Sequence, residues 1–259
     1  MHATRPFRSS LVSLLIVGVL VTGLGATASA ASPLPPCTVG DVLTKHRTLA
    51  DWPRSLLDLT YRLSSTYAPG DLRSTADAGL NSGHSVRALI MADLRAMASA
   101  ARSAGARLSV YSAYRSYATQ KATFDRWVRL HGYSVAIKES ARAGHSEHQL
   151  GTTLDFTSYG GGAPWDVADW ATTKAGAWMK ANAWKYGFVM PYPKGETSVT
   201  CYIYEPWHWR YVGRERAATI RASRLTLREF LWREQTAPPP TPPPTPAPFV
   251  PGGATRGGG

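Results

Sequence analysis

"RAGHSEHQLGTTLDF", residues 142–156, places two histidines, a glutamate and an aspartate within fifteen positions. Its end, "TTLDF", reads as a short strand. Side chains alternate across a strand, so Leu154 and Phe156 face one way while Thr153, Asp155 and Thr157 face the other. One face is core-directed and the opposite face carries a carboxylate. That pattern suits a sheet with a core on one surface and chemistry on the other.

The flanking sequence supplies the rest of the fold. In "VRALIMADLRAMASAARSAG" the apolar residues Val86, Leu89, Ile90, Leu94, Met97 and Ala101 form one face of a helix that Gly105 is placed to end. "RLSVYSAYRS" alternates Leu108 and Val110 with polar neighbours, as a half-buried strand does. A helix from Tyr117 to His131 buries Phe124, Trp127 and Val128 and stops at Gly132. A Trp-rich helix is expected over 165–185, then a turn and strand in "YGFVMPYP" and an aromatic β-rich stretch, "YIYEPWHWRYVG". A last helix over 214–233 carries Ile220, Leu227, Phe230 and Leu231. Helices and short strands mix without regular alternation or internal repeat. The expectation is α+β, a small, mostly antiparallel sheet flanked by helices.

Both ends differ in character from the middle. Arg5 and Arg8 precede the apolar run "LVSLLIVGVLV", and Ala28–Ala30 supplies small residues for cleavage, so residues 1–30 read as a secretory signal. An uncleaved anchor is the alternative, although the run is short for the roughly 20 residues of a membrane span. Residues 236–259, rich in proline and then glycine, favour extended and loose chain and cannot build a core. The formal charge is +12, or +10 without Arg5 and Arg8. An exported protein so basic is drawn non-specifically to anionic wall polymers or head groups. Its lysines and arginines are scattered and form no nucleic-acid motif, so no nucleic-acid partner is expected. Cys37 and Cys201 are the two cysteines, and outside the cytoplasm they are expected to form a disulfide, with two free thiols as the alternative.

Three histidines lie in chemically dense segments: His145, His148 and His208. Two imidazoles, a carboxylate and an open fourth position are how a hydrolytic zinc site is built, with a second carboxylate as base. Asp155 and Glu205 are available for those parts. Plainer readings stand beside this one. His208 among aromatics fits a hydrogen-bonded structural residue, Asp155 a turn cap or an arginine partner, and Glu205 a solvated charge. "HSEH" is not the helical HExxH motif, and Pro206 pushes Glu205 toward extended backbone. On a flat strand, positions 205 and 208 face opposite ways, so a shared site requires a turn or bulge. Trp207, Trp209 and Tyr211 fit a substrate channel or, more commonly, core; the same holds for Trp165, Trp170, Trp178 and Trp184.

"SAYRSYATQ", "SARAGHSEHQLGTTLDF" and "YIYEPWHWRYVG", taken together and in order over residues 67–213, closely resemble the VanY-type D-alanyl-D-alanine carboxypeptidases, zinc peptidases of bacterial cell-wall peptides. The resemblance implies the D-Ala-D-Ala carboxypeptidase/hedgehog-like fold, with the zinc site on the sheet. It makes residues 67–235 the catalytic domain, with 31–66 a segment packed on it. It implies one zinc ion held by His148, Asp155 and His208, with Glu205 as base and Arg115 contacting the substrate and the developing oxyanion. Gln120, Ser146 and Tyr202 become substrate-pocket residues, and His145, outside the ligand pattern, either a structural residue or one that supports a ligand. The implied function is a secreted or envelope-associated D,D-carboxypeptidase, a monomer, removing D-alanine from peptidoglycan stem peptides. Alternatives are an L,D-carboxypeptidase, a peptidoglycan endopeptidase, or a catalytically silent wall-binding module. Two positions depart from the family pattern. Thr153 replaces a small residue and brings a hydroxyl near the metal, and Cys201 stands where glycine is common.

Overall fold

The computed structural model describes residues 32–237. The signal-like start and the Pro/Gly stretch beyond residue 237 lie outside the described residues. In chain order, β1 (Val42–Leu43) pairs in parallel with β2 (Tyr61–Arg62), and β3 (Leu72–Ser74) pairs antiparallel with β4 (Ser85–Arg87). There follow α1 (Met91–Ser103), β5 (Leu108–Ser112), α2 (Tyr117–His131), α3 (Tyr133–Glu139), β6 (Thr153–Ser158), α4 (Lys174–Asn182), β7 (Phe188–Val189), α5 (Thr197–Thr200), β8 (His208–Tyr211), α6 (Arg214–Ser223) and α7 (Leu227–Thr236). No helix among the described residues is long and apolar enough to cross a membrane.

The central sheet has the order β5-β6-β8-β7 and every pairing in it is antiparallel. Alternation assigns its two faces. Val110, Leu154, Phe156, Phe188, Trp209 and Tyr211 point to one side and pack with Leu94 and Met97 of α1, Met179 of α4 and Trp170. Asp155 and His208 are direct cross-strand partners, as are Thr153 and Arg210, and all four are buried on the other side. The sheet is thus apolar on one surface and ionisable on the other. The register of β5 shifts between Val110 and Ser112, which brings Ser112 opposite Asp155. Bulges commonly re-aim side chains beside active sites.

Several helix boundaries differ from the sequence expectation. The helix predicted to carry Val86 starts only at Met91; Val86 lies in β4, and Leu89 is exposed in a single 3-10 turn. The stretch 165–185 is not one helix. Asp169 and Thr173 each cap a new start, their side chains accepting from the Ala171 and Gly176 amides. The helix predicted over 214–233 breaks at Arg224, whose φ is +58°. Thr226 and Glu229 then form a reciprocal capping box that starts α7. In "YIYEPWHWRYVG" only His208–Tyr211 is strand. By contrast, α2 runs from Tyr117 to His131, capped by Ser116.

The segment before β3 lies against the domain through charged as well as apolar contacts. Leu56, Leu57, Leu59 and Leu63 are buried. Asp58 accepts from Arg228 of α7 at 2.7 Å, and Arg228 also donates to the carbonyls of Val199 and Pro35. His145 faces this segment, with Nδ1 2.7 Å from the Asp58 carbonyl and Nε2 3.2 Å from Asp41. Its contacts are structural and point away from the site.

Cys37 and Cys201 are bridged, with Cα atoms 5.2 Å apart. Cys201 sits in left-handed backbone at φ +73°, a conformation glycine adopts without cost. The bridge therefore anchors a residue whose backbone conformation favours glycine. Cys37→Ser is expected to lower stability by about 2–4 kcal/mol, read as a shift in denaturant midpoint under oxidising conditions. Cys201→Gly should cost about 1–2 kcal/mol less than Cys201→Ala, because only the alanine keeps the backbone penalty. Equal midpoints for those two variants would refute this account.

Candidate active site

His148 lies in the 3-10 turn Glu147–Leu150, capped by Ser146, whose Oγ accepts from the His148 amide at 3.3 Å. Gly151, at φ +73°, ends the turn and leads the chain into β6. Asp155 is central on β6 and His208 opens β8 directly opposite it. His148 Nε2 is 3.2 Å from Asp155 Oδ2, and His208 Nδ1 is 3.0 Å from Asp155 Oδ1. One donor atom from each of the three residues lies within 4.8 Å of the other two.

Hydrogen bonds on the far side of each ring decide which nitrogen faces this point. His148 Nδ1 lies 2.7 Å from the Ala113 carbonyl, so it carries the proton and Nε2 keeps its lone pair. That Nε2 is buried with no hydrogen-bond partner among the described residues. An orphaned buried acceptor beside a carboxylate and a second imidazole fits a metal ion, and two nitrogens and one oxygen suit zinc. His208 is turned the other way: Nε2 sits 3.1 Å from Glu147, leaving Nδ1 for the site.

The electrostatics divide the two histidines. Burial, and then the Arg115 charge, push His148 down to about 4, so it is neutral. Burial opposes charge on His208 too, but its bonds to Asp155 and Glu147 prevail and push it up to about 10. Asp155 is held well below the usual carboxylate range by the two imidazoles, against its own burial. A metal entering the site must therefore displace one proton, from His208. Zinc affinity is expected to rise with pH through the neutral range, because His208 must give up its proton to the ion. Calorimetry in buffers of differing ionisation enthalpy should register proton release as zinc binds; a count of none would contradict this assignment.

Glu205 reaches the site by the turn that flat-strand geometry called for. The His208 amide bonds to the Glu205 carbonyl at 3.1 Å, closing a four-residue turn with Pro206 in second place, where its fixed φ fits. The turn brings Glu205 Oε2 to 3.5 Å from His208 Nδ1. Burial pushes its carboxyl up to about 7. Arg115 also pairs with Asp155, its Nη1 3.5 Å from Oδ2, the oxygen that His148 faces. Its Nε donates to Gln120 Oε1 at 2.7 Å and Nη1 to Ser112.

A cavity of about 710 Å³ opens over these groups. Ser146, Tyr202, Glu205 and Arg115 line it beside the ligands, and Tyr111, Trp127, Trp165 and Trp207 wall it further out. Gln120 is fully buried and lies behind Arg115, with its amide nitrogen donating to the Ala141 carbonyl at 2.6 Å. It reaches the cavity only through the guanidinium it holds. The Thr153 hydroxyl makes no hydrogen bond among the described residues, so it gives no support to a ligand. Trp209 and Tyr211 are core. Glu147 and Arg210 were missed from the sequence. The available signal was Arg210 two residues after His208 on one strand, which puts a buried arginine on the ligand face, where it needs a carboxylate.

A ligand triad one donor short of a tetrahedron, with a carboxylate able to hold a proton beside it, belongs to hydrolytic metal enzymes. On this fold the arrangement suits metal-assisted hydrolysis. Residues 83–214 match the family described as VanY, D-alanyl-D-alanine carboxypeptidase, and the chain belongs to that family. It is 38% identical over 181 residues to "Putative carboxypeptidase YodJ" of Bacillus subtilis (strain 168), an overlap covering 68% of this chain and 66% of that protein. The chain spans between 35% and 66% of the length of the curated relatives it matches. Among solved structures it resembles the LdcB LD-carboxypeptidase, at 32% identity and TM-score 0.63, covering 74% of this chain and 94% of that one. It also resembles the D,D-pentapeptidase VanY from a VanB-type resistance cassette, solved in complex with Zn(II), at 29% identity and TM-score 0.58, covering 70% and 99%.

Proposed function

We propose that the protein is an exported D,D-carboxypeptidase that uses one zinc ion, held by His148, Asp155 and His208, to release the C-terminal D-alanine from peptidoglycan stem peptides. The observation that carries this reading is the position of Arg115, a guanidinium 3.5 Å from a ligand carboxylate at the cavity wall. An exopeptidase must read a free carboxylate close to the scissile bond, and a planar fork of donors does so. An endopeptidase has no need of it.

When bound, the ion supplies Lewis acidity, lowering the pKa of water and polarising the scissile carbonyl. The chain's own groups do the rest. Glu205 accepts a proton from the water as its oxygen bonds to the carbonyl carbon. It returns that proton to the peptide nitrogen as the C–N bond breaks, which leaves a free amine and a new carboxylate. Arg115 offsets negative charge on the substrate, at the terminal carboxylate or at the carbonyl oxygen during attack. Gln120 and Ser112 hold that guanidinium in place. Ser146 and Tyr202 offer hydroxyls along the wall, and Tyr202 Oη has no partner among the described residues. The outer aromatic wall suits the upstream part of the stem peptide.

An L,D specificity is the second reading, favoured by the likeness to the LdcB LD-carboxypeptidase. Export rests on the signal-like start and agrees with a disulfide, which persists in oxidising compartments. The basic charge suits non-specific attraction to anionic wall polymers. We take the protein to act as a monomer. The test is mass analysis of a stem pentapeptide ending in D-Ala-D-Ala and of the corresponding tetrapeptide, each with and without chelator. Loss of one alanine from the pentapeptide, abolished by chelator, is the expected result. Cleavage of the tetrapeptide alone would replace D,D with L,D, and cleavage of neither would overturn the carboxypeptidase reading.

A further inference from the structure

Glu147 is 4% exposed and its two oxygens are divided between two partners. Oε1 accepts from Arg210 Nη1 at 2.7 Å, and Oε2 lies 3.1 Å from His208 Nε2. Arg210 is itself fully buried, two residues after His208 on the same face of β8. Its Nη2 donates to the carbonyls of Trp52 at 2.8 Å and Ser55 at 2.9 Å. The carboxylate is therefore fixed at both ends and cannot swing away from the imidazole. The anchoring carbonyls precede residue 83, where the family match begins.

An imidazole can present either nitrogen to a metal, and the hydrogen bond on the other nitrogen decides which. For His148 a backbone carbonyl makes that choice. Among the described residues no backbone carbonyl bonds to His208 Nε2; Glu147 holds it instead. A carboxylate in that position also makes the opposite nitrogen a stronger donor to the ion. Burying a carboxylate and an arginine is costly, and such pairs rarely add net stability over apolar replacements. Selecting the nitrogen of a metal ligand is a use that repays the cost.

We infer that Glu147 is the positioning residue of His208, holding Nε2 protonated and Nδ1 on the metal, and that Arg210, moored on the 52–55 segment, holds Glu147 in place. The inference rests on zinc binding at His148, Asp155 and His208. Removing Glu147 alone strands a buried guanidinium, so the comparison uses two charge-neutral pairs, Glu147→Gln with Arg210→Met and Glu147→Met with Arg210→Met. Glutamine still accepts from Nε2–H, whereas methionine does not. Zinc dissociation constants from chelator competition should be about 10–100-fold weaker for the methionine pair than for the glutamine pair. A merely structural role predicts equal constants with shared changes in thermal midpoint, and that result would overturn the inference. A readout on the unmodified protein guards against misfolding of either pair. Nitrogen-15 spectra of the zinc-loaded protein should place the proton of His208 on Nε2, and a proton on Nδ1 would overturn the inference equally. If the unmodified protein binds no zinc, the metal reading itself fails and the inference falls with it.

Discussion

Glu205→Ala is expected to keep its zinc and to lose about 10²–10⁴-fold in kcat, the range general acid–base catalysis contributes. Glu205 is not needed as a ligand. Three other side chains supply converging donors, and Glu205 Oε2 stands 3.5 Å from one of them. On the proposed mechanism it moves a proton, and burial lifts its carboxyl to about 7, close to where a general base works best. Zinc content by mass spectrometry and kcat on a stem peptide should therefore separate cleanly. If alanine at 205 removes the metal, the glutamate is a ligand and the mechanism changes. If activity survives within about threefold, far less than any general base contributes, the proton moves through another group.

Arg228→Ala is expected to destabilise the protein by about 3–5 kcal/mol, the cost of stranding one member of a buried ion pair. Asp58 and Arg228 are 1% and 5% exposed and joined at 2.7 Å. The same guanidinium donates to Val199 and Pro35, so α7, the N-terminal segment and the stretch before Cys201 meet at one charge. For a domain of this size the loss corresponds to roughly 6–20 °C in Tm. Replacing both partners with apolar residues should recover part of it, because no charge is then left unpaired. A shift below roughly 3 °C for Arg228→Ala would mean that water reaches Asp58 and the pair is not buried in solution.

The geometry of the candidate site was more readable in the sequence than the helices were. Asp155 declared its face because Leu154 and Phe156 occupy the alternate positions, and period two tolerates no ambiguity once one side is core. The joining of Glu205 to His208 required a turn, and Pro206 is the residue that starts one. The breaks at Arg224 and around Trp170 were harder, because apolar residues continue across them at helical spacing. Local capping by Thr226 with Glu229, and by Asp169 and Thr173, overrides that spacing. Glu147, Arg210, Asp58 and Arg228 were illegible for another reason. A charged residue reads as solvent-exposed until its partner is known, and these partners lie 63 and 170 positions away.

β8 is four residues long, and it alternates His208 and Arg210 with Trp209 and Tyr211. A slip of one position against β6 would send both ionisable groups into the apolar layer and bring two aromatics out to the ligand face. Such a chain could keep its sheet and most of its compactness, yet it could not chelate. Metal uptake during refolding would then count the molecules whose β6–β8 pair has registered correctly, a census that spectroscopic measures of overall secondary structure cannot take.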